Sequence, residues 1–508
     1  MCLVSHSQAV GGFAAPQGPH GTNVGPRAIL RSPGAGMHVP RTVRADSAAE
    51  ASYVLAVACR SNPFLGRGHG SEGGDMTSKR IRTIAGWVLA PLLVVGAVTA
   101  QAGAASAAAT GQDGHHKILY VSRHAWPWGA DRSCRSARFR TIQSAVNAAR
   151  PGGTVVVCPG TYHEQVVISK PVSLEGRRAT IDEAGVTPAF QVTLPGLGTK
   201  TIYAAVVMVS SGIRFSGFKV THAQGEGILA AGLGRELTGI SISHSAVVHN
   251  DLGFGVPNTP YFQCQAMGPV PGDCGEGVHF TGVADSKIKG NLIAFNAGGV
   301  LLSDDTGPTH GILVAGNVVT GNATDCGITV PGHNPNALDA KGKRQPSVAG
   351  VYDNDIRNNV VTNNGVKGEG AGVLFANASA GTASYDNLVQ GNYIAGNGLS
   401  GVTMHAHTLM PGQFEDLSGN RVIGNTIGKN NLDGDALDCP PGSTTCSPQD
   451  LVTTGVLVFS GGTPVTTTIA FNHISSNAIG IWLSKAVTAA GLKTNTFRNV
   501  TTPISAGH

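Results

Sequence analysis

One phrase recurs six times between residues 285 and 483, and it constrains the fold more than any other feature of the chain. It reads aliphatic, two residues, Asn, one residue, aliphatic, two residues, Asn, a variable gap, then Gly-aliphatic-x-apolar. The first three copies are Ile288/Asn291/Ile293/Asn296/Gly299-Val300, Val314/Asn317/Val319/Asn322/Gly327-Ile328 and Ile356/Asn359/Val361/Asn364/Gly372-Val373. The next three are Val389/Asn392/Ile394/Asn397/Gly401-Val402, Val422/Asn425/Ile427/Asn430/Gly455-Val456 and Ile469/Asn472/Ile474/Asn477/Gly480-Ile481. Degenerate copies precede them around Ile213–Ile228, Ile240–Val256 and Val278. The Asn-to-Asn step never changes. Only the gap does, as loops are inserted at the bends.

Such a unit supplies short strands whose alternate residues face inward, and paired Asn amides at the bends that can ladder from unit to unit. One unit cannot bury its own apolar face, so many must stack. Glycine is abundant at 71 residues and charged residues are only 13%. No periodic helical stretch is present, and Leu does not recur at the fixed spacing of a leucine-rich repeat. The predicted class is all-β, a right-handed parallel β-helix solenoid of about ten or more coils.

Taking the aliphatic residue after each repeat Gly as position zero, positions zero and two point inward. These are Val300/Leu302, Ile328/Val330, Val373/Phe375, Val402/Met404, Val456/Val458 and Ile481/Leu483. Position one points out and reads Leu301, Thr329, Leu374, Thr403, Leu457 and Trp482, an apolar outer face expected to be covered or used for binding. At the N-terminal end, Phe139 to Ala149 reads as one short amphipathic helix. A strand follows Pro151-Gly-Gly, and Pro159-Gly160-Thr161-Tyr162-His-Glu164 makes a tight turn before two more strands up to Gly176. A helix there would hide an otherwise open sheet edge.

This opening, followed by the repeat, closely resembles the pectin-lyase-like superfamily of right-handed parallel β-helix proteins, over about residues 135–500. The resemblance implies the fold. It does not select an activity, because the superfamily hosts lyases, hydrolases, esterases, epimerases and non-enzymatic binders. The active-site segments of pectin methylesterases and the Asp-Pro-His-Asp of alginate epimerases are absent. The polygalacturonase motifs have only partial likenesses in the wrong order: Asp304-Asp305, Thr309-His310-Gly311, Thr324-Asp325-Cys326-Gly327 and Gly332-His333-Asn334. Asp433-Gly-Asp435-Ala-Leu-Asp438 is rich in carboxylates but fits no calcium-loop spacing well and reads as a solvated turn. No cofactor is identified, with calcium left open, and no metal ligand is assigned.

Before the repeat lies a leader. Residues 1–75 carry no strong apolar periodicity and read as disordered or as untranslated. Residues 76–109 join the basic start Lys79-Arg80-Ile-Arg82, the apolar run Ile84 to Ala100 and a small-residue stretch, the three parts of a secretory signal, with Met76 as the expected true start. Residues 110–134 are a lead-in and 135–508 the β-helix domain. The chain holds 35 Lys/Arg and 30 Asp/Glu; nine and four of these lie in residues 1–109, leaving 26 of each. A neutral mature domain lacks the broad positive field of a nucleic-acid binder. Export permits disulfides. Cys264/Cys274, Cys439/Cys446 and Cys134/Cys158 are the expected pairs, and Cys326 is left over. The expectation is a secreted monomer, extracellular or at the cell surface, with an extracellular polysaccharide as partner, no nucleic acid and no stable membrane insertion after signal cleavage.

Loops leaving the Gly-aliphatic strand gather polar residues on one edge. At position five stand Asp305, His333, Ala378 and His407 in four successive coils. With coils about 4.8 Å apart, Asp305 and His333 are predicted to touch. A carboxylate beside a His orients its ring and suits it to proton transfer near neutral pH. The expected acid/base residues are therefore His333 and His407, with Asp305 as orienter, while Asp304, Asn377 and His405 hold substrate. Glu226, Glu276 and His279 lie near the same strand on earlier coils. An enzyme of this kind would be a polysaccharide lyase or glycoside hydrolase, or an epimerase. The competing readings are a non-catalytic carbohydrate- or surface-binding platform, or a metal-delivery accessory protein using His405-Ala-His407 with Met404 and Met410. The sequence does not decide whether the chain is an enzyme.

Overall fold

The computed structural model describes residues 118–507, apart from 127, 195–197, 251–275, 368, 369, 378, 407–412 and 433–451. The stretches read as a leader and as a secretory signal, the Cys264/Cys274 and Cys439/Cys446 loops, the Asp433–Asp438 loop, Met410 and His407 lie outside the described residues.

The repeat folds into coils whose strands pair in parallel with those of the next coil. The Gly-aliphatic strands form an 11-stranded sheet running from Val166–Ile168 to Thr502–Ala506. The two Asn-terminated strands of each coil form a second, long sheet of two side-by-side ladders. In one, Lys287–Lys289 is followed by Leu313–Ala315, Asp355–Arg357 and Leu388–Gln390. In the other, Leu292–Ala294 is followed by Val318–Thr320, Val360–Thr362 and Tyr393–Ala395. This is a right-handed parallel β-helix solenoid. A third, five-stranded sheet, not anticipated from the repeat, is built inside the loops from Leu237–Thr238 to Ser384–Tyr385.

The core is a stack of inward residues. Val300, Ile328, Val373, Val402, Val456 and Ile481 are in register and at most 1% exposed, as are Val330, Phe375, Met404 and Val458 beside them. The repeat Gly is needed because successive coils nearly touch there: a Cβ on Gly299 would collide with the Gly327 carbonyl oxygen.

Asn side chains close the bends. Asn291, Asn317, Asn359, Asn392 and Asn425 each donate from Nδ2 to Oδ1 of the Asn one coil on, at 3.0 Å in all five steps. A parallel ladder runs from Asn250 through Asn296, Asn322, Asn364 and Asn397 to Asn430. A third, shorter ladder joins Asn354, Asn387 and Asn420. Each amide also serves the backbone. Oδ1 of Asn359 accepts the Asn317 N–H, and its Nδ2 donates to the Val314 carbonyl. The ladder amides and the bend N–H groups they accept from are thus satisfied.

At the N-terminal end, Ile118–Val121, in the segment read as a lead-in, pairs with Thr154–Val157 as the first described strand. The expected helix is α1, Ile142–Ala148, with Ile142, Ala145 and Val146 buried. The Glu164 carboxylate accepts the N–H groups of Ile142 and Gln143 at 2.7 and 2.8 Å and caps it. The Gln143 amide in turn bonds both the N–H and the carbonyl of Val167, finishing the edge strand of the 11-stranded sheet as a neighbour would. Cys134 and Cys158 are bridged, and Cys326 is a buried free thiol.

The apolar outer face of the 11-stranded sheet is covered. Leu301, Thr329, Thr403, Leu457 and Trp482 are all at most 7% exposed. Over the first coils the cover is an antiparallel hairpin, Gln191–Leu194 with Gly198–Thr201, whose Val192 belongs to one cluster with Val207 and Leu229.

Candidate functional site

The loop after the strand Ile328–Gly332 turns back beside Asp305. His333 Nδ1 lies 3.2 and 3.1 Å from the two carboxylate oxygens of Asp305, so this pair meets across adjacent coils. The His333 side chain is 22% exposed and that of Asp305 11%, which leaves the pair at the border of the solvent. Burial alone would push the Asp305 carboxyl up. The His333 charge and hydrogen bond, a hydrogen bond from the Ser303 side chain and the His279 charge together hold it below its usual range.

Behind the pair lies a buried chain. His279 sits in the outward column between Leu229 and Leu301 and is fully buried. Its Nδ1 is 3.0 Å from Glu226 Oε1 and its Nε2 is 2.9 Å from Ser303 Oγ. The sequence Glu226, His279, Ser303, Asp305, His333 therefore crosses four coils and ends at the surface. Proton counting restricts its states. With Glu226 ionised, Nδ1 of His279 must donate to it. Nε2 then either accepts the Ser303 hydroxyl or, as imidazolium, donates to it and turns that hydroxyl toward Asp305. The orientation of one serine proton thus couples the charge of a buried His to the carboxylate that holds His333. Sequence reasoning noted Glu226 and His279 but did not join them to the site. The available signal was a His standing in a column that is aliphatic on both sides.

The three residues expected to hold substrate are all buried. Asp304 is fully buried. Strand alternation carries it inward at position four, where Oδ1 accepts the N–H groups of His333 and Asn334 and Oδ2 that of Gly350. It pins both ends of the 333–350 loop, and burial with the Asp305 charge pushes its carboxyl up to about 6 against the His333 and Asn334 N–H donors and the His333 charge. Asn377, also at position four, is fully buried on the strand Val373–Asn377. His405 is 5% exposed and stacks on Phe459 at 4.6 Å between ring centroids. Register puts it two coils from Pro331, roughly 10 Å along the axis, away from His333. Met404 is core, as its parity required.

Side-chain contacts also tie the long loops to one another. Arg344 spans Asp386 and Asp416, at 2.5 and 2.6 Å, over the face of Tyr385. His310, Tyr352 and Tyr385 stack on successive coils, and His310 Nε2 lies 3.1 Å from Glu236. Among the described residues, no group of three or more His, Cys, Asp or Glu is arranged to hold a metal ion. No helix among them is long and apolar enough to cross a membrane.

Set beside known proteins, residues 237–436 match the family described as periplasmic copper-binding protein (NosD). No curated protein matches the chain. Among solved structures, the chain is similar to the Dettilon tailspike protein gp208, with 16% identity, 76% of this chain and 68% of that one covered, and a TM-score of 0.41. It is similar to the A-module of the mannuronan C-5 epimerase AlgE4 from Azotobacter vinelandii, with 15% identity, 72% and 92% covered, and a TM-score of 0.35. It is also similar to an alginate lyase from Paenibacillus sp. str. FPU-7, with 14% identity, 71% and 95% covered, and a TM-score of 0.38. The repeat and the stacked parallel sheets make the chain a right-handed parallel β-helix protein, the fold of the pectin-lyase-like superfamily that its sequence resembles.

Proposed function

We propose that this is an exported enzyme acting on a polysaccharide by proton transfer at His333, with Asp305 orienting the ring. The observation that carries the reading is the His333–Asp305 contact at 3.1 Å at the solvent border, backed by the buried Ser303–His279–Glu226 chain. Nδ1 is engaged by Asp305, so exchange with a sugar hydroxyl, a ring proton or a glycosidic oxygen falls to Nε2. Export is supported by the secretory segment at 76–109 and by the word periplasmic in the matched family's description. The test is a screen of the purified protein against neutral and acidic polysaccharides, reading chain length, unsaturated ends and epimer content. The reading expects one of them to change; no change in any of them refutes it.

The family match favours a second reading, copper binding. Its candidates are His405 with His407 and Met410, the last two outside the described residues. Copper content of protein purified from copper-supplemented cells separates the two. One equivalent of copper that is lost in His405→Ala and His407→Ala supports the second reading.

A further inference from the structure

The Asn bend between the two ladders of the long sheet is lined by residues of both ladders, and His333 is not among those that line the groove there. Over the early coils this corner widens into a surface groove of about 630 Å3 whose lining includes Arg178, Thr180, Lys219, His244, Gly290 and Leu292. Its neighbourhood is basic. Arg177, Arg214, Lys287 and Lys289 are exposed beside it, against the exposed carboxylates of Glu175 and Asp285. Among the described residues none of these six cations is held in an ion pair. In a mature domain with equal numbers of acidic and basic residues, this concentration is local.

A second observation lies on the same corner. Register places Lys219, Ala246, Leu292, Val318, Val360 and Tyr393 in one outward column on successive coils. The last four are 41%, 40%, 39% and 48% exposed, an unbroken apolar ladder facing solvent. Its rungs follow the coil spacing of about 4.8 Å, close to the advance per sugar of an extended polysaccharide.

We propose that this corner binds an acidic polysaccharide lengthwise. Its carboxylates face Arg178, Lys219, Lys287 and Lys289, and the C–H faces of its sugars pack on Leu292, Val318, Val360 and Tyr393. The charge selects a polyanion. The aliphatic ladder selects a saccharide over a nucleic acid, whose bases need aromatic platforms, of which this column offers one. The proposal is independent of the reaction assigned to His333 and holds for an enzyme and a non-catalytic protein alike.

The test is retardation of the purified protein in gels containing polygalacturonate, alginate or neutral dextran, with a titration for affinity. Retardation is expected from a polyuronate, weakened by salt, and absent with dextran. The exposed double variant Lys219→Glu/Lys289→Glu should lose about tenfold or more in affinity. Tyr393→Ala should lose severalfold with the salt dependence unchanged, and thermal melts should show both variants folded. Absence of polyuronate binding, binding unaffected in the folded double variant, or equal competition by double-stranded DNA would each overturn the proposal.

Discussion

Replacing Asn392 with Ala tests whether the asparagine ladder holds the coils together. Asn392 is 1% exposed. Its Nδ2 donates to the Ile356 carbonyl at 2.9 Å and to Asn425 Oδ1 at 3.0 Å, while its Oδ1 accepts the Asn359 N–H at 2.8 Å and Asn359 Nδ2 at 3.0 Å. Alanine removes all four. Asn359 Nδ2 keeps the Val314 carbonyl, but the Asn359 N–H is left buried without its acceptor. One orphaned buried donor costs about 1–3 kcal/mol and each of the three further lost bonds about 1 kcal/mol, so the expected loss is about 4–6 kcal/mol. In a domain of this size that lowers the melting temperature by about 5–7 °C. The neighbouring Tyr393→Thr, on the exposed column, should stay within about 0.5 kcal/mol of wild type. Far-UV circular dichroism melts of the three proteins decide the matter. If Asn392→Ala and Tyr393→Thr melt together, the ladder does not carry the load assigned to it.

Other expectations follow from single residues. Val373→Asp places an uncompensated charge in the core and should yield no folded protein, whereas Leu374→Ser, a half-buried outer-face change, should still fold and melt cooperatively. Glu183 is buried and its carboxyl is pushed up to about 8, chiefly by burial. Its folded value lies above its unfolded one, so its contribution is complete below about pH 4.5 and is lost as pH rises through about 8, with a slope of at most about 1.4 kcal/mol per pH unit. The melting temperature should therefore fall between about pH 5 and about pH 8, and Glu183→Gln should flatten that slope; an unchanged slope contradicts the assignment. Asp304→Asn weakens the anchor shared by His333, Asn334 and Gly350, and limited proteolysis should then cut within residues 334–349 faster than in wild type.

The solenoid was legible because its physics repeats. Inward parity, the tight Gly and two of the Asn ladders each leave one mark per coil, and six marks agree. The third ladder was missed because Asn354, Asn387 and Asn420 occupy only three coils, with Ser286 in the equivalent place on an earlier one, where its hydroxyl accepts the Ile240 N–H. The site was harder. Parity carries on to position four, one residue past the strand for Asp304 and the last strand residue for Asn377, so both, read as loop residues facing substrate, point inward instead. The Asp305–His333 contact followed from counting along the coil. The chain behind it did not, because Glu226 and His279 are 53 residues apart and meet only once the register across a long insertion is known. The third sheet, with its His310–Tyr352–Tyr385 stack, has two-residue strands too short to show any period.

The central claim, that His333 moves the proton, is tested most directly by one comparison. Turnover of a polysaccharide converted by the wild type is measured across pH for wild type, His333→Ala and His279→Gln, with melts confirming that each variant is folded. The account predicts that His333→Ala loses turnover at every pH and that His279→Gln retains activity with a displaced pH profile. Full turnover by folded His333→Ala would contradict it.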